Sequence, residues 1–363
     1  MKITFVCPNL NMTGGIRVVA TYAQYLQSFG HEVLVVAPPR QVRAGRMADL
    51  RRKLRLPPAV MRPQPPSHVD GTGVPKKILE RPRKVLESDV PDADIIVATW
   101  WETAEFVAAM SPAKGRKVYF VQGYEVFKWQ PRERVLATYR SDLQKIAVAR
   151  WLCEAIERDG NRQGCTIVPN AVDRSLFFAP PRERNARPRL GTLFAENDNK
   201  SFDVALGVIA RVRQAFPDLE VVALGSDAPV KYRDRVDGIA LTLQAPQSVL
   251  REVYASCDVW LTCSKTEGFN LMAMEAMACR TPVVSTRTGW PAEAVVEGVN
   301  GALADVDDVA GLADGVLRIL RLDAPGWRAL SDGAARTVAD SSWERSARLF
   351  EAALIRNEKI APG

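Results

Sequence analysis

The strongest constraint on this chain is an alternation of short, apolar, β-rich runs with helix-forming segments, and it occurs twice. Residues 2–7 (KITFVC) read as a strand. Residues 9–15 form a loop ending in Gly14 and Gly15, 16–29 a helix closed by Gly30, and 31–37 a second strand. Further strands are expected at 94–99, 117–122, 145–149 and 166–170. A Pro- and Arg-rich stretch at 171–188 breaks the pattern. It resumes with strands at 189–194, 219–224, 238–243, 258–263, 281–286 and 300–303, and helices at 201–216, 247–255 and 270–279. Apolar strands joined through crossover helices require parallel sheets covered on both faces. At 363 residues the chain exceeds what one core usually serves. The expectation is therefore α/β, with two Rossmann-like, doubly wound parallel-sheet domains and a cleft between them. The expected limits are 1–170, a linker at 171–188, and 189–340. A C-terminal amphipathic helix within 341–363 is expected to pack back on the first domain.

Composition narrows the class. The chain is 47% hydrophobic and 25% charged, ordinary for a globular protein. No apolar run of 18 residues is present, and the start MKITFVCPNL lacks the pattern of a signal peptide. The six cysteines (Cys7, Cys153, Cys165, Cys257, Cys263, Cys279) include no C-x-x-C pair. Buried, reduced thiols of a cytoplasmic protein are expected. With only His31 and His68 to help, no metal cluster is expected. The net charge of +7 is concentrated at residues 40–87, where thirteen Lys and Arg face four acids. Prolines at 57, 58, 63, 65, 66, 75 and 82 exclude one long helix there. Residues 47–56 could form a short amphipathic helix. Two readings stand: a solvated, partly mobile insertion, or a patch for anionic lipid headgroups built on Arg51, Arg52, Lys53 and Arg55. No aromatic residue interleaves the charges, so nucleic acid is not an expected partner.

Residues 264–289, SKTEGFNLMAMEAMACRTPVVSTRTG, carry the chemistry. Glu267 lies in a loop after a strand, and Gly268 frees the backbone. Asn270 opens a helix rich in Leu, Met and Ala that contains Glu275. A helix N-terminus offers unpaired N–H groups and partial positive charge, which suit a phosphate. Carboxylates suit the hydroxyl groups that surround a phosphate in a sugar nucleotide. The bland reading is a solvated loop Glu and an exposed helix Glu. In the first half, Gly14 and Gly15 would let backbone approach a diphosphate, or simply make a tight turn. The dinucleotide fingerprint is absent. Trp100, Trp101, Tyr124 and Glu125 follow strand ends, where they could stack on a sugar face or cap the core.

Taken together, Val168-Pro169-Asn170, Ser264, Glu267-Gly268-Phe269, Glu275-Ala276-Met277-Ala278, Thr281-Pro282-Val283-Val284, Gly289, Glu293 and Gly298-Val299-Asn300-Gly301 resemble the retaining glycosyltransferases of family 4, which have the GT-B fold. The first half matches through the Gly14-Gly15 turn. YFVQGYE and SWERSARLFE look like a subset that includes rhamnan and O-antigen rhamnosyltransferases. The resemblance implies roles. Glu275 would bind donor ribose hydroxyls and Glu267 would face the donor sugar. Gly268 and the backbone of Phe269, Asn270 and Leu271 would meet phosphate or sugar. Lys200 would neutralise the diphosphate, with Gly14 and Gly15 against it from the first domain.

Departures from the family pattern are equally specific. Thr192 stands where an arginine is expected, so a diphosphate contact is missing or comes from elsewhere, such as Arg17. Gln122 stands where many members have a histidine; it can hydrogen-bond a hydroxyl but cannot carry a proton. Asn270 replaces a usual glycine and Arg280 a usual small residue, both of which could tune donor choice. The implied function is a metal-independent, retaining, hexosyl-type transferase without a cofactor. It moves a sugar from a nucleotide-diphosphate sugar to a glycan or lipid-linked acceptor in cell-surface polysaccharide or glycolipid synthesis. The expected location is cytoplasmic, peripheral on the inner membrane face if the basic patch binds lipid. The alternatives are a non-catalytic nucleotide-sugar-binding subunit, or an epimerase or phosphorylase on the same scaffold.

Overall fold

A computed structural model describes residues 1–40, 65–226 and 228–355. The chain divides into two compact units, Met1–Val168 joined by the C-terminal stretch from Ser346, and Pro169–Arg345.

The first unit is built on a seven-stranded sheet in the order β3-β2-β1-β4-β5-β6-β7, every pair parallel. The strands are β1 Lys2–Val6, β2 Glu32–Ala37, β3 Lys76–Ile78, β4 Ile95–Ala98, β5 Arg116–Val121, β6 Gln144–Ala147 and β7 Cys165–Ile167. All four residues of β4 are buried, as are the last four of β5, which is why these strands read as continuous apolar runs. From β1 the sheet grows one way to β2 and β3, then the chain returns to place β4 on the other side of β1. Such a reversal opens a crevice at the carboxyl ends of the two central strands. The helix Trp343–Ile355 returns to this unit. Phe350 stacks on Tyr22 at 4.7 Å and meets Phe120 edge-on at 4.9 Å. Gln144 Nε2 donates to the Ala353 carbonyl at 2.7 Å, and His31 pairs with Glu351 at 2.7 Å.

The second unit has a six-stranded parallel sheet, β10-β9-β8-β11-β12-β13. Its strands are β8 Arg189–Phe194, β9 Glu220–Gly225, β10 Ala240–Leu243, β11 Val259–Thr262, β12 Val283–Thr286 and β13 Gly301–Ala304. Its core gathers Phe194, Phe202, Tyr232, Leu261, Val284 and Trp327. Here the reversal lies between β8 and β11. The helices Val309–Leu320 and Ala324–Thr337, which the strand–helix alternation does not announce, complete the unit.

Three expectations need correction. Residues 171–188 are not a bare linker: they are laid along the second unit. Asn185 N donates to the Asp258 carboxylate at 3.0 Å, and the Arg182 guanidinium lies 4.6 Å over the Trp327 ring. Asp258 is fully buried, so its carboxylate needs those donors. Lys76, Lys77, Arg81 and Lys84 are exposed, as a solvated insertion requires, but the described part of the basic stretch is also anchored to the first unit. Lys76–Ile78 is an edge strand paired with β2, Lys76 pairs with Asp70, and Arg83 Nη2 reaches Asp89 at 2.8 Å. The expected helix at 47–56 and the patch Arg51, Arg52, Lys53 and Arg55 lie outside the described residues. Finally, Cys153 and Cys165 form a disulfide that ties the helix Arg150–Arg158 to β7. The helix and strand run back against each other, which brings together two cysteines whose spacing of 12 signalled nothing. The other four are buried thiols, and for this pair the expectation of reduced cysteines does not hold.

Candidate functional site

Both loops that leave the central strands of the second sheet at their carboxyl ends converge on one place. The loop after β8 ends in a short 3-10 turn, Asp198–Lys200, capped by the Asn197 side chain, which accepts from Asn199 N at 2.9 Å. The loop after β11 carries Ser264 and Glu267. Two bonds stitch the loops together: Lys265 N to the Asn199 carbonyl and Asn199 Nδ2 to the Thr266 carbonyl, both 2.8 Å. The result is an ion pair, with Lys200 Nζ 2.6 Å from Glu267 Oε1, and the Ser264 hydroxyl donating to the same oxygen at 2.6 Å. Only 12% of the Glu267 side chain is exposed. It is held in place, not solvated.

The helix Leu271–Ala278 begins where this loop ends. Asn270 is its N-cap, with φ at 78° and its side chain accepting from Ala273 N at 3.2 Å. Left-handed backbone favours glycine, and Asn is among the few other residues that enter it readily, so Asn270 can stand in for glycine here. It also donates to Thr262 Oγ1 at 3.3 Å. The Leu271 and Met272 amides sit in the first turn, where a helix has no acceptors for its N–H groups. Gly289 closes the loop from below. It has φ 61°, and a Cβ there would lie 2.8 Å from both Glu267 Cβ and the Phe269 carbonyl. Phe269 stacks on Trp290 at 5.9 Å. Glu275 is 3% exposed, with Oε2 accepting from the Tyr254 hydroxyl at 3.0 Å. A carboxylate buried on a helix this apolar is not the ordinary surface Glu of the bland reading. This site can therefore offer backbone N–H groups, one ammonium and two oriented carboxylates.

In the first unit, Gly14 and Gly15 open the helix Gly14–Ser28 after β1. A Cβ on Gly15 would lie 3.7 Å from Oε1 of Gln122, at the end of β5. That oxygen is buried and has no protein hydrogen-bond partner, an arrangement proteins seldom leave without a ligand or water to meet it.

Several expectations are corrected here. Thr192 does not occupy the position just beyond the first strand. It lies within β8, 1% exposed, its hydroxyl donating to the Leu261 carbonyl at 3.0 Å; the residue after the strand is Ala195. Arg280 sits past the far end of the helix, its Nε on the Ala179 carbonyl at 3.1 Å and its guanidinium paired with Asp332. It cannot touch a ligand at the helix start. Trp101 and Glu125, both 2% exposed, belong to the core rather than to an acceptor surface. Glu125 Oε2 accepts from the Trp101 amide at 2.6 Å and the Tyr119 hydroxyl at 2.7 Å. Burial pushes its carboxyl up to about 8 despite these bonds. Trp100 and Tyr124 are half-buried, the latter donating to Asp159 at 2.7 Å. A histidine does stand beside the glycine turn. His68 Nε2 lies 3.1 Å from the Met12 carbonyl, and its backbone N donates to the Asn11 carbonyl at 3.2 Å. Burial, helped by the charge of Arg17, holds its ring below the usual imidazole range. His68 lies in the basic stretch, and no local pattern around it signals these neighbours.

Comparison with known proteins bears on the fold and on the second unit. Residues 189–322 match the model of the family described as Glycosyl transferases group 1. Curated D-inositol 3-phosphate glycosyltransferases of Mycobacterium tuberculosis and Mycobacterium bovis are 33% identical over 203 residues, covering 50% of this chain and 41% of theirs. The matched stretch thus spans less than half of those relatives. Among solved structures, Anabaena HepE in complex with UDP and glucose superposes with a TM-score of 0.75 at 17% identity, covering 98% of this chain and 99% of that one. Sucrose-phosphate synthase from Thermosynechococcus elongatus gives 0.73 at 17%, covering 97% and 98%. The fold is GT-B. In GT-B terms, the residues matched by the family model hold the loop after β8, including Lys200, and the loop and helix that carry Glu267 and Glu275. No helix among the described residues is long and apolar enough to cross a membrane.

Proposed function

We propose that this protein is a glycosyltransferase that takes a sugar from a nucleotide-diphosphate donor held by the second unit. The observation that carries the reading is the Lys200–Glu267–Ser264 cluster beside the start of the helix Leu271–Ala278, at the switch point of the sheet. Lys200 and the first-turn amides would stabilise the charge that grows on the leaving diphosphate, without reorganisation at the moment of reaction. Glu267 would accept hydrogen bonds from donor-sugar hydroxyls and Glu275, oriented by Tyr254, from the ribose. On the first unit, Gly14 and Gly15 keep their role as backbone that can approach a diphosphate, and the buried Gln122 oxygen, without a protein hydrogen-bond partner, can accept from a sugar hydroxyl. The bond from the sugar anomeric carbon to the diphosphate breaks, and a bond to the acceptor oxygen forms on the same face. The acceptor proton passes to a diphosphate oxygen. The transition state is oxocarbenium-like, as in other glycosyl transfer. On the family resemblance, the proposal is also retaining, metal-independent and hexosyl-type, with a glycan or lipid-linked acceptor in cell-surface polysaccharide or glycolipid synthesis. A peripheral place on the inner face of the cytoplasmic membrane belongs to the same proposal.

Calorimetric titration with UDP, GDP and dTDP sugars, each with and without EDTA, tests it. Binding of one nucleotide class that survives EDTA, followed by donor turnover, is the expected result. No binding of any donor overturns it. One observation favours a second reading, a nucleotide-binding subunit without turnover: the residue just after β8 is Ala195, which leaves no cation there. Binding without hydrolysis or transfer would select that reading.

A further inference from the structure

With Trp101 and Glu125 in the core, the acceptor surface expected of the first unit needs another origin, and the loop after β5 supplies one. Trp129 is 69% exposed, and no aromatic side chain among the described residues is more so. Its ring is not loose. It lies parallel to Phe127, with centroids 4.8 Å apart and planes within 1°. The loop beneath is pinned from the core. Phe127 N donates to the Glu125 carbonyl at 3.0 Å, Gln130 N to the Phe127 carbonyl at 2.9 Å, and the Glu125 amide to the Tyr139 hydroxyl at 2.8 Å. One indole face is therefore held on Phe127 while the other stands in water.

We propose that Trp129, backed by Phe127, is a stacking platform for a pyranose ring of the acceptor glycan; this rests on the transferase reading above. A sugar presents one face of C–H groups and a rim of hydroxyls. It matches a flat aromatic face bordered by hydrogen-bonding side chains. Polar residues adjoin Trp129 in the chain: Lys128, Arg132 and Glu133 are exposed, and Gln130 is half-buried. A lipid surface fits less well, since the patch holds a single exposed apolar ring and no amphipathic helix face to bury beside it. The platform shares its loop with Gln122, so acceptor contact and the unpaired amide oxygen lie on one segment leaving β5.

Saturation-transfer NMR on the full chain tests the platform, with methyl α-L-rhamnopyranoside, methyl α-D-mannopyranoside and methyl α-D-glucopyranoside as probes. Wild-type protein should saturate the ring protons of at least one probe. Trp129→Ala should reduce that transfer by about three- to tenfold, the weight of one aromatic contact, and Trp129→Phe should retain most of it. No saturation by the wild type, or equal saturation by Trp129→Ala, overturns the platform. Sedimentation with phosphatidylglycerol vesicles that depends on Trp129, without glycoside contact, overturns it in favour of a membrane. Titration of UDP, GDP and dTDP on the same samples separates the two claims. Trp129→Ala should bind nucleotide as the wild type does, which also shows that the variant folds. A wild type that binds no nucleotide sinks the transferase reading, while the glycoside result still decides the platform.

Discussion

Replacing Lys200 by Ala should weaken nucleotide binding strongly, and the structure gives the scale. The ammonium lies 2.6 Å from Glu267 Oε1, with 27% of its own side chain and 12% of its partner's exposed. It is thus already held where a diphosphate would meet the first-turn amides, with little ordering left to be done on binding. A charge-assisted hydrogen bond contributes about 1.5–3 kcal/mol, and Lys200→Ala should raise the UDP, GDP or dTDP dissociation constant by about 10- to 150-fold. Lys200→Arg keeps the charge but exchanges a compact ammonium for a planar fork, so an intermediate loss is expected. The informative partner is Glu267→Gln. It removes the carboxylate that competes for Lys200 and keeps an acceptor for Ser264. Nucleotide affinity should hold or rise while sugar transfer falls. Two substitutions in one ion pair therefore differ in their effect on nucleotide binding: one weakens it and the other does not. Calorimetry at fixed salt reads both, and circular dichroism checks the fold. If Lys200→Ala binds nucleotide as tightly as wild type, the assignment of Lys200 to the diphosphate is wrong.

Other outcomes follow from the same geometry. Glu275→Ala should weaken donor binding by about 1–3 kcal/mol, and Tyr254→Phe, which removes the hydroxyl orienting it, should weaken binding less; an unchanged donor KM in both would remove the ribose role. Glu125, raised to about 8 by burial, keeps its proton in the folded chain after the unfolded chain has lost its own. The Glu125 contribution to stability should therefore fall as pH rises from about 4.3 towards 8, and level off above. Glu125→Gln should flatten that part of the profile in denaturant titrations, and a profile identical to wild type would refute the buried-acid account. Thiol titration of the unreduced, denatured chain should count four free cysteines, since Cys153 and Cys165 are joined; six would refute the disulfide. Breaking it with Cys153→Ser should cost about 3 kcal/mol, the closure entropy of a loop this short.

The parts of the fold that were legible in the sequence are those where local pattern and burial agree. β4 and β5 are apolar because helices cover both sheet faces, and both were placed within a residue or two. Glu267, Gly268 and Asn270 announced a loop-to-helix junction because each residue type has one local task there: accept, bend, cap. What stayed hidden depends on distant partners. Lys76–Ile78 is charged and short, and is a strand only because β2 offers it an edge. Residues 171–188 look like a linker until Asp258, 70 or more positions away, demands donors. Thr192 falls inside the strand expected at 189–194 and observed there, so the position to compare with the family arginine is Ala195, just past the strand end. Trp101 and Trp129 illustrate the limit well. Both follow strands and both are aromatic, yet one fills the core and the other faces water, which only packing decides.

A crystal structure of the full chain with a bound nucleoside diphosphate tests the central claim most directly. The account predicts the diphosphate on Lys200 and the Leu271–Met272 amides, with the ribose hydroxyls on Glu275. A nucleotide bound elsewhere, or Lys200 still paired with Glu267 and touching no phosphate, would contradict it.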